Sequence, residues 1–390
     1  MIKKQVLFLI CLQMCLAFAA FAAQTPTVVQ PVVTSGSMKL LTFPDAKDEL
    51  ISELDKLDSK DSLFLEIYEL DDQNASKLGS IENQLAELSQ RGVSFYMIYD
   101  DFISKGSPSD REKYIEEHEQ KLCKDNNWNG YPSTKKFNLT HSKTFLAPDK
   151  FAIVMTANLV DNDESPVNQN WSTSRDFALY TTNKGVMNSI QDVFNCDTES
   201  SGDGGKHEPD ASSLAPEIVL SPINSKEKLS NLIDNAKSRI TIYMESFSNY
   251  KTGDLTTILD KLAQKAAKGI KVKALVQDTV VMGSDWNKTR ITQLYNDYKD
   301  NPTVLNNLDI RLCHLEETLY VHAKVIVVDS NTFYLGSINI SNNSMNEDRE
   351  LGIIISNSDI AQAIERQFRS DWDYFSSTPN SYYDLNPSHK

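Results

Sequence analysis

His322 and Lys324, two residues apart in a 390-residue chain, can act together on a phosphate if they share one face of a strand. The β-branched run Val325 to Val328 predicts a buried strand. On a strand, side chains two apart point the same way. Asp329 and Ser330 begin a turn, and the chain returns over Thr332 to Ile338, where Ser337 and Asn339 share a face. An imidazole, a fixed cation, a hydroxyl and an amide then converge. The cation neutralises phosphate oxygens, the amide donates to them, and the imidazole does covalent or acid–base work. A single buried histidine is more often a satisfied core residue. The argument rests on the whole pattern, His-x-Lys-x4-Asp-x6-Gly-Ser-x-Asn, which fixes six positions in eighteen residues.

The pattern occurs twice. Residues 141 to 158 read His-Ser-Lys-Thr-Phe-Leu-Ala-Pro-Asp-Lys-Phe-Ala-Ile-Val-Met-Thr-Ala-Asn, and both His141 to Asn158 and His322 to Asn339 span seventeen positions. His141 and Lys143 share a strand face as His322 and Lys324 do, and Thr156 keeps a hydroxyl at the Ser337 place. Pro148 stands at the aspartate position, with Asp149 one residue later, and Met155 replaces Gly336. Asp329 sits at the turn, away from the face of His and Lys, so its expected role is structural. Each imidazole needs a carboxylate to fix its tautomer and stabilise its protonated form. Glu350, 28 residues beyond His322, and Asp176, 35 residues beyond His141, are the candidates. Their settings, Arg349-Glu350-Leu351 and Arg175-Asp176-Phe177, look equivalent.

These motifs resemble the HKD signature of the phospholipase D superfamily, the first copy in degenerate form, and the resemblance extends from about residue 38 to 376. It implies two fused α/β halves about a pseudo-two-fold axis, with both motifs in one active site and the chain a monomer. His141 and His322 become nucleophile and general acid/base. Lys143, Lys324, Asn158 and Asn339, with Ser337 and Thr156, become the substrate-holding groups. The family usually takes its nucleophile from the N-terminal motif, which favours His141; the reverse assignment stays open. The implied reaction is two in-line displacements through a phosphohistidine, with water giving hydrolysis and an alcohol giving transphosphatidylation. Neither metal nor other cofactor is called for. The preferred substrate is a phospholipid head-group phosphodiester. The alternatives are a nuclease of the same superfamily and a catalytically decayed binding protein.

The elements that position these motifs form a repeat. Leu40 to Phe43, Ser62 to Leu70 and Val93 to Tyr99 read as strands, with helices over Asp45 to Leu57 and Ser76 to Gln90. Glu217 to Leu220, Arg239 to Glu245 and Ile270 to Gln277 repeat the strands, and Ser225 to Lys237 and Thr252 to Lys268 the helices. This order predicts an α/β fold of two homologous halves, each a mostly parallel sheet flanked by helices. Gly92 and Gly269 close equivalent helices, as a left-handed cap prefers. The halves are placed at 38–196 and 216–376, with a solvated Ser/Gly/Asp/Glu-rich linker at 197–215 and a loose tail at 377–390. Ser104 to Phe137 reads as irregular, either a substrate-covering loop or a surface insertion, and His118 within its acidic run as surface.

Met1 to Lys4 carry two lysines, Val6 to Phe21 are apolar apart from Gln13, and Ala20-Phe21-Ala22 fits a cleavage site. Residues 1–22 are therefore read as a signal peptide of an exported chain, periplasmic or secreted. The formal charge is −15, and losing Lys3 and Lys4 lowers it to −17. Such a surface argues against broad nucleic-acid binding, which needs basic surface. Cys123, Cys196 and Cys313 remain, an odd number that allows at most one internal disulfide; Cys123 with Cys196 is the candidate pair, its state left open, with Cys313 read as a buried thiol. No Cys/His spacing resembles a zinc site.

Overall fold

The computed structural model describes residues 26–72, 80–161, 173–202, 208–249, 257–279, 285–314 and 319–389. The expected signal peptide lies outside them. Among the described residues no helix is long and apolar enough to cross a membrane.

Two eight-stranded sheets carry the fold. The first runs, edge to edge, Val32–Ser35, Met38–Phe43, Asp176–Thr181, Phe151–Met155, Lys143–Ala147, Ser62–Ile67, Ser94–Tyr99 and Asn129–Pro132. The second runs Ile218–Ser221, Glu350–Ser356, Thr332–Gly336, Lys324–Val328, Arg239–Met244, Lys271–Gln277, Leu308–Cys313 and Tyr382–Asp384. Leaving out the first strand of the one and the last of the other, the orders correspond position by position, so the duplication is structural.

The α/β class and the two halves agree with the sequence, but the sheets are not mostly parallel. In each, only two of the seven pairings are parallel. One parallel pair in each sheet comes from a β-α-β crossover read in the sequence, and the other from a crossover through a segment read there as a loop. The motif strands form a hairpin, and a hairpin is antiparallel by construction. The crossover helices are Ile81–Gln90 and Ile258–Ala267. Ser80 caps the first by accepting from the Asn83 amide, and Thr257 and Asp260 close a capping box on the second. Gly92 (φ 97°) and Gly269 (φ 84°) end them in the left-handed region.

One core lies between the sheets and draws on both halves, with Leu146, Val154 and Phe177 packed in it beside Val325, Leu335 and Leu351. The helices Lys184–Glu199 and Ser358–Ser377 lie in this middle layer. Separate cores back the outer faces of each sheet.

Backbone bridges then stitch the halves at two related places. Thr140 pairs with Arg349, and Val321 with Arg175. The His141 amide donates to Arg349 O (2.8 Å), and the Arg175 amide to Tyr320 O (2.8 Å). The same arginines form crossed ion pairs: Arg175 Nε to Asp371 (2.8 Å), and Arg349 Nε to Asp197 (3.0 Å). All four residues are buried. Removing one partner of such a pair strands a buried charge at about 3–5 kcal/mol.

Other expectations are corrected. Ser104 to Phe137 is neither irregular nor a cover: Asp110–Asp125 is a helix with a complete Ser109/Glu112 capping box, and Asn129–Pro132 is an edge strand. Its high polarity hid it, because Glu116 and Glu119 are buried. His118 is no free surface residue, lying 3.1 Å from Glu82 Oε1. The linker does not begin at Asp197, which is still helical and ion-paired. The tail is not loose, since Tyr382–Asp384 pairs with Leu308–Cys313 and Asn386 donates to Leu305 O (2.8 Å). Cys123, Cys196 and Cys313 are all free thiols. Cys123 packs on Met97 in the outer core, whereas the Cys196 helix serves the middle layer, so the candidate bridge is not made.

Candidate active site

The motif lysines occupy matching places: Lys143 pairs with Ile67, and Lys324 with Met244, across corresponding strands. The strands proper begin at these lysines. Each histidine sits just before, in the segment that bridges to the other half. Asp100 Oδ2 accepts the Thr140 amide (3.1 Å) and Gln277 Oε1 the Val321 amide (2.8 Å), fixing the two segments alike. Lys143 Nζ donates to His141 O (2.7 Å) and Lys324 Nζ to His322 O (2.6 Å).

The carboxylates cross between halves. His141 Nδ1 lies 2.8 Å from Glu350 Oε2, and His322 Nδ1 lies 2.9 Å from Asp176 Oδ1. Each orienter thus serves the histidine of the other motif, as the reciprocal bridges at Arg349 and Arg175 dictate. With both Nδ1 atoms so engaged, each imidazole presents Nε2 to the remaining space.

Thr156 and Ser337 were expected to hold substrate; they lie beneath the carboxylates instead. Thr156 Oγ1 donates to Asp176 Oδ1 (2.6 Å) and accepts from the Phe177 amide (2.9 Å). Ser337 Oγ bonds to both the amide (3.1 Å) and the carbonyl (3.2 Å) of Leu351, beside Glu350. Asp329 is not at the site. It accepts from the Lys237, Ser238 and Arg239 amides (2.8 to 3.0 Å) and pins the turn at the far end of the strand.

Asn158 and Asn339 are at corresponding places, but each amide meets a glutamate that the motif does not announce. Asn339 Nδ2 lies 3.3 Å from Glu245 Oε2, and Asn158 Nδ2 3.2 Å from Glu69 Oε2. Glu245 also binds Lys324 Nζ (2.7 Å), accepts from Tyr320 OH (2.8 Å) and lies 3.6 Å from His322 Nε2. The first half has Tyr68 at the Glu245 place, its ring 4.6 Å from that of His141 and 5.1 Å from Lys143 Nζ. In the sequence Tyr68 and Glu245 read only as residues within the strands Ser62 to Leu70 and Arg239 to Glu245; no motif marks them.

The electrostatics differ accordingly. Burial, then the charges of Lys143 and Lys324, holds His141 well below its ordinary pKa. Burial pushes Glu350 up to about 8, and burial with Lys324 draws Lys143 down to about 7. Burial would raise Asp176, but the positive charge and hydrogen bond of His322 outweigh it and hold Asp176 down. Glu245 is likewise pushed up by burial, yet Lys324 and His322 hold it far below the carboxylate range.

The first motif's departures are compensated. A Cβ on Gly336 would meet Gly352 Cα at 2.3 Å and Tyr334 OH at 2.9 Å. Gly336 pairs with Gly352, and Met155 with Ala178, so a large Tyr334 beside two glycines is exchanged for Ile153 beside two larger residues. Where Pro148 removes the turn aspartate, Asp61 supplies one from the facing segment, bound to Lys150 Nζ (2.6 Å).

Asp71, Glu82 and His118 bring ligand atoms within 4.8 Å of one another. The Glu82 hydrogen bond holds His118 above its ordinary pKa.

Comparison with known proteins agrees with this geometry. Residues 229–372 match the cardiolipin synthase, PLD-like domain family. The phosphatidylserine synthase of Haemophilus influenzae Rd KW20 superposes with a TM-score of 0.61 at 13% identity, over 92% of this chain and 90% of that one. The polyphosphate kinase of Porphyromonas gingivalis superposes with a TM-score of 0.56 at 13% identity, over 85% of this chain; the chain spans 50% of that kinase. No curated protein matches by sequence. The second half thus matches a PLD-like domain, and the chain as a whole is similar in fold to the phosphatidylserine synthase, with the motif present in both of its halves.

Proposed function

We propose that the chain is a phosphodiesterase that releases head groups from phospholipids, by hydrolysis or by transfer to a second alcohol. The observation that carries this is the pair of crossed His–carboxylate contacts, each beside a motif lysine. His141, held neutral, attacks phosphorus through Nε2, while Glu350 orients the ring from Nδ1. His322, whose charge Asp176 stabilises, gives its proton to the leaving alcohol as the P–O bond breaks. The neutral His322 then takes a proton from water or an acceptor alcohol. That oxygen attacks phosphorus, the P–N bond breaks, and both histidines return to their starting state. Lys143, Lys324, Asn158 and Asn339 hold the phosphoryl oxygens.

Charge favours lipid over nucleic acid. Arg111, Lys105 and Lys324 are each ion-paired with a carboxylate, so they offer no basic track for a polyanion. Export through residues 1–22 is part of the proposal; the mature N-terminus is expected at Ala23.

The test follows head-group release from vesicles and cleavage of single-stranded DNA, both in excess EDTA. Release that persists in EDTA and falls roughly 100- to 10,000-fold in His322→Ala supports the reading. DNA cleavage lost in the same variant, without lipid turnover, overturns it in favour of a nuclease. Inertness toward both favours a decayed binding protein.

A further inference from the structure

Glu245 is the group that the two-displacement chemistry does not use. The residue is 8% exposed, and its carboxylate engages Lys324 Nζ, Asn339 Nδ2 and Tyr320 OH, with His322 Nε2 at 3.6 Å. Lys324 and Asn339 are two of the groups that must hold phosphoryl oxygens in the second half. A phosphodiester that recruits them takes the partners away from a buried carboxylate and sets its own negative charge beside it. Stranding one member of a buried ion pair is costly. The first half has less of the conflict, because only its asparagine, Asn158, meets a carboxylate, that of Glu69. Tyr68 stands at the corresponding place, and the nearby Glu69 is balanced by Arg111 (3.1 Å), which is not a motif residue. Among the described residues no carboxylate oxygen lies within ion-pair distance of Lys143.

A second anion beside an anionic substrate is compensated if the substrate brings its own cation. The position says which part of the substrate. Tyr320 holds Oε1, leaving Oε2 toward Lys324, Asn339 and His322. His322 is the proton donor to the leaving oxygen, so Oε2 flanks the leaving alcohol rather than the retained phosphatidyl group. A primary ammonium two carbons from the ester oxygen can reach it and donate hydrogen bonds, replacing the Lys324 contact as Lys324 turns to the phosphate.

We infer that Glu245 is a specificity-determining residue that pairs with the ammonium of an amino-alcohol leaving group, selecting primary-amine head groups over uncharged polyol ones. The inference rests on the phospholipid reading of the same site. The remaining role open to Glu245 is that of a counter-ion to Lys324 alone, indifferent to the leaving group.

The experiment compares phosphatidylethanolamine with phosphatidylglycerol vesicles, in excess EDTA, for the full protein and Glu245→Gln. The ratio of the two kcat/KM values is expected to favour ethanolamine and to fall by about ten-fold or more in Glu245→Gln. A ratio unchanged by the substitution overturns the inference and makes Glu245 a counter-ion only. A parallel calorimetric titration uses glycerophosphoethanolamine and glycerophosphoglycerol with the wild type and Glu245→Gln. It separates failure of the inference from failure of the phospholipase reading. Without lipid turnover, an ethanolamine preference lost in Glu245→Gln upholds the role of Glu245 and rejects the phospholipase. Equal binding of the two esters by the wild type rejects the role of Glu245. Glu245→Asp, which keeps the charge, is expected to retain part of the preference; melting curves exclude unfolding of either variant.

Discussion

The two half-sites carry the same His, Lys and Asn in the same register and surround them differently. In the first, an aromatic ring, Tyr68, lies against His141 and Lys143. In the second, the carboxylate of Glu245 stands there and binds Lys324. One environment is apolar and disfavours charge on its histidine; the other is rich in charge and keeps opposite signs in contact. The two halves carry one constellation, and the residue after one strand, Tyr68 or Glu245, gives its two copies different surroundings, which the proposed mechanism uses to separate nucleophile from proton donor. That is a division of labour by environment, as pairs of titratable groups with opposed surroundings achieve elsewhere.

The largest effect that breaks or sharpens this comparison comes from the crossing itself. Asp176→Asn is expected to slow turnover roughly 100- to 10,000-fold, as losing the orienter of a catalytic imidazole does. The crossing predicts which double mutants are non-additive. Asp176→Asn is expected to add little to His322→Ala, whereas Glu350→Gln multiplies its loss. An activated p-nitrophenyl phosphodiester keeps residual rates measurable. The opposite pattern would mean that each carboxylate serves its own motif.

A smaller effect concerns pH. Lys143 is drawn to about 7 by burial and Lys324, so it loses its charge as pH rises through about 7. His141 is held well below its usual value and stays neutral throughout that range. A loss of kcat/KM from deprotonation of Lys143 is therefore expected near pH 7. Lys143→Arg, which cannot deprotonate there, lowers the plateau by about ten-fold through its different fork geometry and moves the alkaline limb upward. An alkaline limb unmoved by Lys143→Arg assigns it to another group.

Much of this was readable in the chain. The motif spacing located His141, His322, both lysines and both asparagines, and the Arg-acid-apolar pieces located Asp176 and Glu350. Sequence separation could not say that the carboxylates cross, because crossing is a property of the bridges at Thr140–Arg349 and Arg175–Val321. Thr156 and Ser337 were placed on the right strands, but hydroxyls one layer below the surface look the same in sequence as hydroxyls at it. Asp197 hid in what read as a solvated linker, since a buried acid paired across 152 residues has no local signature. Met155 and Pro148 looked like decay only because their compensations, Ile153 and Ala178 for the one and Asp61 with Lys150 for the other, lie on other strands and segments.

The smallest effect tests a second asymmetry, behind the site. Tyr243 donates to Asp371 Oδ2 (2.6 Å), buttressing the Arg175 pair. The first half has Glu66 at the corresponding place, near the Arg349–Asp197 pair. Burial, then the charge of Asp197, raises Glu66 to about 8 from an ordinary 4.5. A carboxyl whose folded value lies above its unfolded one contributes stability that is whole below about 4.5 and lost as pH rises through about 8. The wild-type melting temperature is therefore expected to fall between pH 6 and 8.5. Glu66→Gln, which keeps the neutral shape, is expected to flatten that fall by a few degrees, at about 2–4 °C per kcal/mol for chains of this order. Tyr243→Phe should lower the melting temperature by a similar amount at every pH, because no proton is exchanged at Tyr243 in this range. Equal pH slopes for wild type and Glu66→Gln would show that Glu66 is not the group that carries the proton, and that the two arginine pairs are buttressed alike.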